Sequence, residues 1–426
     1  MGLPPESVSA RPGGGLAHGR PRPGACPPRG ADDRAPPTIV SLAAVTWDFA
    51  LVGRTRMLTE AWLRRGEPTL FVQVPSLRTA LERVRSWFAP GAHGAKLNFA
   101  LLRPWPAYPA SWWSRLGLSR VERAMRARAR ALRRMLERHL SWDEAVALVV
   151  TPLWVPWLDE LPFRHVVYDC IDELTVHVTR PDLLPLYEAW EQRLVQRASG
   201  AVVTASRLGD ALRARRPDLP VALIRNGVDV DAFQRLAASS GRPDDLPRTG
   251  RPIVGFVGAL YEWIDMELIR DVAGRLPEFD FVFVGPHHGR SAVATIVSLP
   301  NVRLLGPRPY GQVPAYVSAF DACWVPFKQN AVAQAANPVK VYEYLALGKP
   351  VVCTPVADTE SFGGLVEVVR TADEAAERLR AAVNRPGATA AARVAFARCN
   401  SWEMRAREYV SFLASLEATL GVPPRG

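Results

Sequence analysis

Cysteine is scarce in this sequence, and long apolar runs are absent from it. The five cysteines of the 426-residue chain are scattered, with no CxxC pair and no Cys/His cluster. This distribution indicates neither a disulfide framework nor a zinc site, and it favours a reducing, cytoplasmic setting. Because no run of about 18 apolar residues occurs, we expect no membrane-spanning helix.

The first 37 residues lack any apolar periodicity. Nine prolines and seven glycines fall within residues 1–37, and we expect this segment to be a disordered tail. It has no apolar core of the kind found in a signal peptide. The rest of the chain is long enough for two domains, and the overall apolar fraction of 48% suits sizeable cores.

Positive charge is concentrated in one segment. The net charge is +11, and nine arginines against two glutamates lie between Arg115 and Leu140. An aromatic loop, WPAYPASWW, precedes this segment at Trp105–Trp113. We interpret residues 105–140 as a surface for an anionic membrane, with a solvated arginine face as the alternative. Nucleic-acid binding is not predicted, because no recognised nucleic-acid-binding fold surrounds these arginines.

The stretch ANPVKVYEYLALGKPVVCTPVA, residues 336–357, has the clearest local signals in the chain. Asn337 is expected to cap a helix that has Pro338 at its first position and stops at Gly348. The apolar run at 351–353 predicts a buried parallel strand. The stretch therefore reads as a loop, a short helix and a strand.

The start of this predicted helix has the features of an anion site. Free backbone amides and the positive end of the helix dipole point out of its N-terminus, and Lys340 in the first turn adds a full charge. Glu343 lies one turn further on the same face. A carboxylate in that position is well placed to accept hydrogen bonds from ribose hydroxyls. A surface ion pair between Lys340 and Glu343 is the alternative.

A group of acidic residues follows the strand predicted at His165–Tyr168. Asp169, Asp172 and Glu173 stand at the expected carboxyl end of this strand, the edge at which open α/β sheets bind ligands. Asp169 is therefore a candidate for a direct catalytic role, and capping of the next turn is the alternative. Strands alternate with helices through both halves of the chain, which predicts an α/β protein with parallel sheets covered on both faces.

Three segments in this order resemble GT-B glycosyltransferases of the large retaining group called family 4. NPVKVYEYLALGKPVV, at residues 337–352, resembles the donor-site helix of that group. LIRNGVDVDAF, Leu223–Phe233, resembles its Asn-Gly-Val-Asp segment. VVYDCIDE, Val166–Glu173, resembles the branch that contains transferases for teichuronic-acid-type and other cell-surface polysaccharides. The resemblance covers Thr38 to Leu420.

The resemblance implies a GT-B architecture, in which two Rossmann-like domains face a central cleft. Residues 38–238 would form the acceptor-side domain, 239–251 the linker and 252–400 the nucleotide-sugar donor domain. Residues 401–426 would form a helix that crosses back to the first domain, with a tail. The implied reaction moves a sugar from a nucleoside diphosphate sugar to a hydroxyl of a glycan or lipid-linked acceptor, with retained anomeric configuration. The group uses no metal ion and no cofactor beyond the co-substrate, and a peripheral position at the inner face of the membrane would suit a lipid-linked acceptor.

The resemblance also assigns roles to individual residues. Lys340 and Asp169 are the expected catalytic residues, although related retaining enzymes often have a His near the position of Asp169. The expected donor-binding residues are Gly53, Arg54, Gly258, His287, Asn337, Pro338, Lys340 and Glu343. Gly53 and Arg54 would stand at the first strand-to-helix turn, where a glycine lets a ligand approach the backbone closely. An ordinary turn with a solvent-facing arginine is the alternative.

Two departures from the family pattern leave the donor sugar and nucleotide open. Many relatives carry an Arg and a Lys soon after the glycine that matches Gly258, where this chain has Ala259 to Glu262. Ala335 stands where the common pattern has a further Glu. Two other functions therefore remain open, a nucleotide-sugar epimerase of the same fold and a non-catalytic glycosyltransferase-like scaffold.

Overall fold

The computed structural model describes residues 37–44, 47, 53–73, 99–102, 113, 117–174, 178, 181–385, 387 and 389–419. Residues 1–36 and most of the aromatic loop at 105–113 lie outside these ranges. No helix within them is both long and apolar enough to cross a membrane.

Two all-parallel sheets organise the described residues, and both reverse their strand order near the centre. The first sheet has the order β3-β2-β1-β4-β5-β6-β7, and the second has the order β10-β9-β8-β11-β12-β13. The strands are β1 Thr38–Leu42, β2 Thr69–Val72, β3 Phe99–Leu102, β4 Ala145–Val149, β5 His165–Cys170, β6 Gly200–Val203, β7 Val221–Leu223, β8 Ile253–Val257, β9 Asp280–Val284, β10 Val302–Gly306, β11 Ala322–Val325, β12 Val351–Cys353 and β13 Val366–Val368. This arrangement confirms the predicted α/β class.

Helices connect most of these strands, as parallel pairing requires. Within the described residues they are α1 Arg54–Arg64, α2 Leu118–Leu136, α3 Val155–Leu158, α4 Leu184–Arg197, α5 Ser206–Arg215, α6 Val230–Ser239, α7 Met266–Arg275, α8 Gly289–Ala292, α9 Ala294–Val297, α10 Val313–Ala319, α11 Ala331–Ala335, α12 Val339–Ala346, α13 Ala372–Asn384, α14 Ala390–Cys399 and α15 Trp402–Thr419.

The first sheet is covered on both faces. Neighbouring residues of β1 enter different cores, because side chains alternate along a strand. Val40 packs in a core with α2, α4 and α5, whereas Ile39 packs in a core with α1 and α15. The C-terminal helix α15 therefore crosses back onto the first sheet, as the sequence predicts, and the Trp62 indole of α1 donates to the Ala406 carbonyl there over 3.3 Å.

The chain passes from one core to the other close to Asn226. Val228 and Phe233 already belong to the core of the second sheet, so α6 packs with that sheet although it precedes the segment 239–251. The chain returns at Asn400, and Val228 pairs with Ser401 there. Gly227 makes this crossing possible, since a Cβ atom on it would lie 2.7 Å from the Asn400 carbonyl oxygen.

Candidate functional site

A cavity of about 480 Å³ opens at the carboxyl ends of the central strands of the second sheet. This is the edge at which open α/β sheets bind ligands. Loops after β8, β9 and β10 form its walls, and the first two turns of α12 close it. Its lining is Val257, Gly258, Ala259, Tyr261, Trp263, Val284, Gly285, Pro286, Pro307, Arg308, Tyr310, Val313, Val339, Lys340 and Glu343.

Helix α12 begins one residue later than the sequence suggests. Pro338 occupies the N-cap position and no side chain caps the helix, so the prediction that Asn337 is the cap is wrong. The Asn337 side chain instead accepts from the Asn226 backbone amide over 2.9 Å and from the Tyr342 hydroxyl over 3.2 Å. Gly348 follows the helix in a left-handed conformation, with φ of 67°, and stops it as predicted.

Lys340 lines the cavity without a hydrogen-bonding partner among the described residues. Its ammonium lies 5.4 Å from the ring centre of Phe256 and 5.2 Å from that of Phe327. Desolvation lowers the pKa of Lys340 to about 8, although Glu343 and Asp172 favour the charged form. The positive charge is thus only partly compensated, and an anion entering the cavity would stabilise it.

Glu343 lies on the same face of α12 as Lys340, as its spacing predicts. Its side chain is buried, and the Tyr310 hydroxyl donates to Oε1 over 2.7 Å. Burial raises the pKa of Glu343, while the Tyr310 hydrogen bond and Lys340 oppose the rise. The wall of one cavity therefore carries an ammonium group, from Lys340, and a carboxyl group, from Glu343, one helical turn apart.

Gly258 allows Lys340 to lie across the end of β8. Its φ of +150° is one that other residues rarely adopt, and a Cβ atom on it would lie 2.8 Å from Lys340 Cε. A Cβ atom on the neighbouring Gly285 would lie 1.9 Å from the Gly258 carbonyl oxygen. The two glycines therefore let the backbone after β8, the backbone after β9 and the Lys340 side chain lie close together in the cavity.

Aromatic residues that sequence reasoning did not single out complete the cavity wall. The ring of Tyr261 stacks on His288 with a centroid distance of 3.9 Å, and Trp263 packs edge-on against the Tyr261 ring. Tyr310 follows β10 in a short helical turn. Their only sequence signal was their position just after predicted strands, which does not separate a site residue from an ordinary loop residue.

Other predicted site residues lie outside the cavity. His287 does not line it, and its Nδ1 lies 3.0 Å from the Gly289 carbonyl oxygen. Gly53 is the N-cap of α1, and a Cβ atom on it would meet nothing within 4 Å. Arg54 and Asp169 are both buried and paired with each other, at 3.3 Å between Arg54 Nε and each carboxylate oxygen.

One carboxylate of the first domain does act on Lys340. Burial raises the pKa of Asp172 to about 7, and the charges of Lys340 and Arg54 oppose this rise. Asp172 follows β5, so the carboxyl edge of the first sheet faces the N-terminal end of α12. Within the described residues, no group of three or more His, Cys, Asp or Glu side chains could hold a metal ion.

Comparison with known proteins finds a family model that matches part of the second domain. Residues 251–391 match the model of the family described as Glycosyl transferases group 1. The chain is 32% identical over 209 residues to TuaH of Bacillus subtilis (strain 168), which is named as a teichuronic acid biosynthesis glycosyltransferase. That match spans 46% of this chain and about half, 51%, of TuaH.

Solved structures with the same two-sheet arrangement cover nearly all of the chain. Sucrose-phosphate synthase from Thermosynechococcus elongatus has a TM-score of 0.68 at 16% identity, over 90% of this chain and 100% of its own. HepE of Anabaena, solved with UDP and glucose, has a TM-score of 0.58 at 15% identity, over 89% and 100%. The chain therefore has the GT-B fold of these proteins, and its residues 251–391 are similar to the group 1 glycosyl transferases.

Proposed function

We propose that this protein transfers a sugar from a nucleoside diphosphate sugar to a hydroxyl of a glycan or lipid-linked acceptor in cell-surface polysaccharide biosynthesis. The observation that carries the proposal is that Lys340 and Glu343 both line one cavity at the start of α12. A cation without a hydrogen-bonding partner in the described part of the chain and a buried carboxylate at this spacing suit the diphosphate and the ribose of one nucleotide.

The diphosphate would bind at the N-terminal end of α12. The first amides of a helix have no intrahelical acceptor and the helix dipole is positive there, so an anion is stabilised. When the sugar leaves, negative charge grows on the diphosphate, and the preorganised amides and Lys340 would stabilise it. Removing one such donor typically raises the barrier by about 3 kcal/mol.

The ribose would bind one turn further along α12. Glu343 Oε1 already accepts from Tyr310, which fixes the carboxylate and leaves Oε2 for a ribose hydroxyl. This contact would hold the anomeric carbon at a constant distance from the acceptor. Tyr261 and Trp263 supply apolar ring surface in the same cavity.

The compared proteins support a uridine nucleotide and a surface polysaccharide as the first choices. HepE was solved with UDP and glucose, and the name of TuaH refers to teichuronic acid biosynthesis. We therefore propose a UDP-sugar donor, retention of anomeric configuration and no requirement for a metal ion.

The test is calorimetric titration with UDP, ADP and GDP, followed by an activity assay in the presence of EDTA. We expect UDP to bind, and a UDP-sugar to be consumed only when an acceptor is added. Conversion of the sugar nucleotide without an acceptor would indicate an epimerase. Absence of binding by every nucleotide would indicate a non-catalytic scaffold and contradict the proposal.

An anionic membrane is the proposed partner of an arginine stripe on α2, defined as Arg120, Arg123 and Arg134. These residues lie three and eleven positions apart, which places them on one helix face, and each is exposed. The opposite face carries the buried Val121, Met125, Ala129, Leu132 and Leu136. Within the described part of the chain, no ion pair involves the stripe, whereas Arg126, Arg130 and Arg133 pair with carboxylates.

Vesicle sedimentation tests this surface. Wild-type protein should sediment with phosphatidylglycerol vesicles at low salt and be released at high salt, because screening weakens the attraction. The double variant Arg123→Glu/Arg134→Glu should stay in the supernatant. The matched control, Arg378→Glu/Arg385→Glu on and after α13, changes the net charge equally and should still sediment. Equal loss in both variants would show a non-specific charge effect.

A further inference from the structure

The N-terminal end of α12 is held by a residue that lies 111 positions earlier in the chain. The Asn226 backbone amide donates to Asn337 Oδ1 over 2.9 Å, and Asn226 Nδ2 donates to the Asn337 carbonyl over 2.6 Å. Both asparagines are buried. Because Asn337 stands three residues before Lys340, this pair of hydrogen bonds fixes the turn from which Lys340 enters the cavity.

Asn226 is held in turn by a buried arginine of the first domain. Arg54 Nη1 donates to Asn226 Oδ1 over 3.0 Å and to the Arg225 carbonyl over 2.9 Å, and Nη2 donates to the Ile224 carbonyl over 2.8 Å. These bonds fix three successive residues of the segment where the chain crosses between the cores. The Arg54 side chain is 2% exposed.

Two acceptors fix the remaining N–H groups of Arg54. Nε lies 3.3 Å from each oxygen of Asp169, and Nη2 donates to the Tyr409 hydroxyl over 2.9 Å. Tyr409, on α15, donates its own proton to Asp169. All five N–H groups of the guanidinium are thus used within the protein, and Arg54 joins α1, β5, the crossing segment and α15.

We infer that Arg54 is a positioning residue, which acts through Asn226 and Asn337 to set the N-terminal end of α12 and thereby the location of Lys340. Asp169 and Tyr409 orient Arg54 for this task. The chain of contacts runs from the first domain to the donor cavity without passing through solvent. The effect on α12 stands on these contacts alone, whereas the effect on ligand binding rests also on the proposed function.

Hydrogen–deuterium exchange of the unliganded protein tests the first part. In Arg54→Met, and in the milder Asn226→Ala, the peptide that covers residues 337–346 should exchange roughly tenfold faster. The reason is that the charged Arg54 side chain no longer holds Asn226, or Asn226 no longer bonds Asn337 through its side chain. The matched control is Arg64→Met on the same helix. Arg64 also joins α1 to α15, at 2.8 Å from Glu403, and lies 3.4 Å from Asp229, but within the described residues it donates no hydrogen bond to residues 224–226.

Exchange at 337–346 that stays at the wild-type rate in both Arg54→Met and Asn226→Ala would overturn the inference. An equal increase in Arg64→Met would also overturn it, because general loosening of α1 against α15 would then explain the result. Circular dichroism checks that each variant is folded. If Arg54→Met does not fold, Arg54→Lys replaces it in the exchange experiment. Lysine lacks the planar fork that reaches Asp169 and Asn226 together, so it should not restore slow exchange.

UDP titration of a double-mutant cycle tests the second part. Arg54→Met and Asn337→Ala should each raise the Kd for UDP roughly tenfold. The Kd of the double variant should not exceed the higher of the two single-variant values, since both substitutions break the same chain of contacts. Additive losses would indicate that Arg54 contacts the nucleotide itself and would overturn the positioning role. Failure of the wild type to bind any nucleotide would contradict the proposed function and leave the exchange result to decide on Arg54.

Discussion

Replacing Lys340 with methionine should make the unliganded protein more stable while it removes nucleotide binding. The pKa of this lysine falls from 10.5 to about 8 in the folded protein because of desolvation. While the lysine is charged in both the folded and the unfolded protein, this fall in pKa corresponds to about 3 kcal/mol of lost folding free energy. Methionine has similar length and keeps contact with the Phe256 and Phe327 rings.

The difference in stability between the wild type and Lys340→Met should depend on pH. Between pH 8 and 10.5 the unfolded wild type binds more protons at Lys340 than the folded protein does, so wild-type stability should rise through this window relative to Lys340→Met. Below pH 8 the full penalty is present, and the variant should unfold several degrees higher than the wild type. The apparent advantage of the variant should shrink as the pH approaches 10.

Thermal unfolding with and without UDP measures both effects. Wild-type protein at about 100 times the Kd of UDP should gain roughly 2.7 kcal/mol, and Lys340→Met should gain almost nothing. Lys349→Met is the matched control, because the Lys349 ammonium donates to the Ser318 and Phe320 carbonyls over 2.6 and 2.7 Å. That variant should lose stability and keep the UDP response. An unliganded Lys340→Met less stable than the wild type would refute the reasoning.

Three further predictions concern the same cavity. Gly258→Ala should lower stability by about 1–3 kcal/mol and weaken UDP binding, since its Cβ would displace Lys340. By contrast, Gly274→Ala should be neutral or stabilising in thermal unfolding, because Gly274 lies in the last turn of α7 with nothing within 4 Å of an added Cβ. Glu343→Gln should weaken UDP binding about tenfold in calorimetry but leave inorganic pyrophosphate unchanged, because the carboxylate serves the ribose; equal losses would contradict that assignment. UDP affinity of the wild type should fall as pH rises above 8, as Lys340 loses its proton, and a flat profile to pH 10 would exclude a role for this charge.

Local signals were sufficient to predict much of the fold and the common helix face of two candidate site residues. The turn chemistry around residues 337–353 predicted a short helix, its stop at Gly348 and the following strand, and the spacing of Lys340 and Glu343 predicted their common face. These features depend on neighbours within one or two helical turns. Sequence reasoning therefore located the two residues on which the proposed function rests.

Contacts between distant parts of the chain could not be predicted in this way. Asn337 has the right residue type for a cap, but Asn226 offers a buried partner 111 positions away and tertiary contact outweighs the local preference. Arg54 follows a strand-to-helix glycine, which indicates a phosphate contact, yet its guanidinium is used by Asp169, Asn226 and Tyr409. No local pattern shows that these four residues meet.

The segment that joins the domains shows the same limit. Turn residues at 239–251 indicate a linker, but Val228 and Phe233 already pack in the core of the second sheet. Whether a helix joins the sheet before it or the sheet after it depends on its apolar partners, and periodicity alone does not identify them.

A crystal structure with UDP would show whether a nucleoside diphosphate binds across the first two turns of α12. We expect a diphosphate oxygen within hydrogen-bonding distance of Lys340 Nζ and of the first amides of α12, with a ribose hydroxyl on Glu343. A UDP molecule bound elsewhere, or one whose diphosphate points away from Lys340, would contradict this expectation.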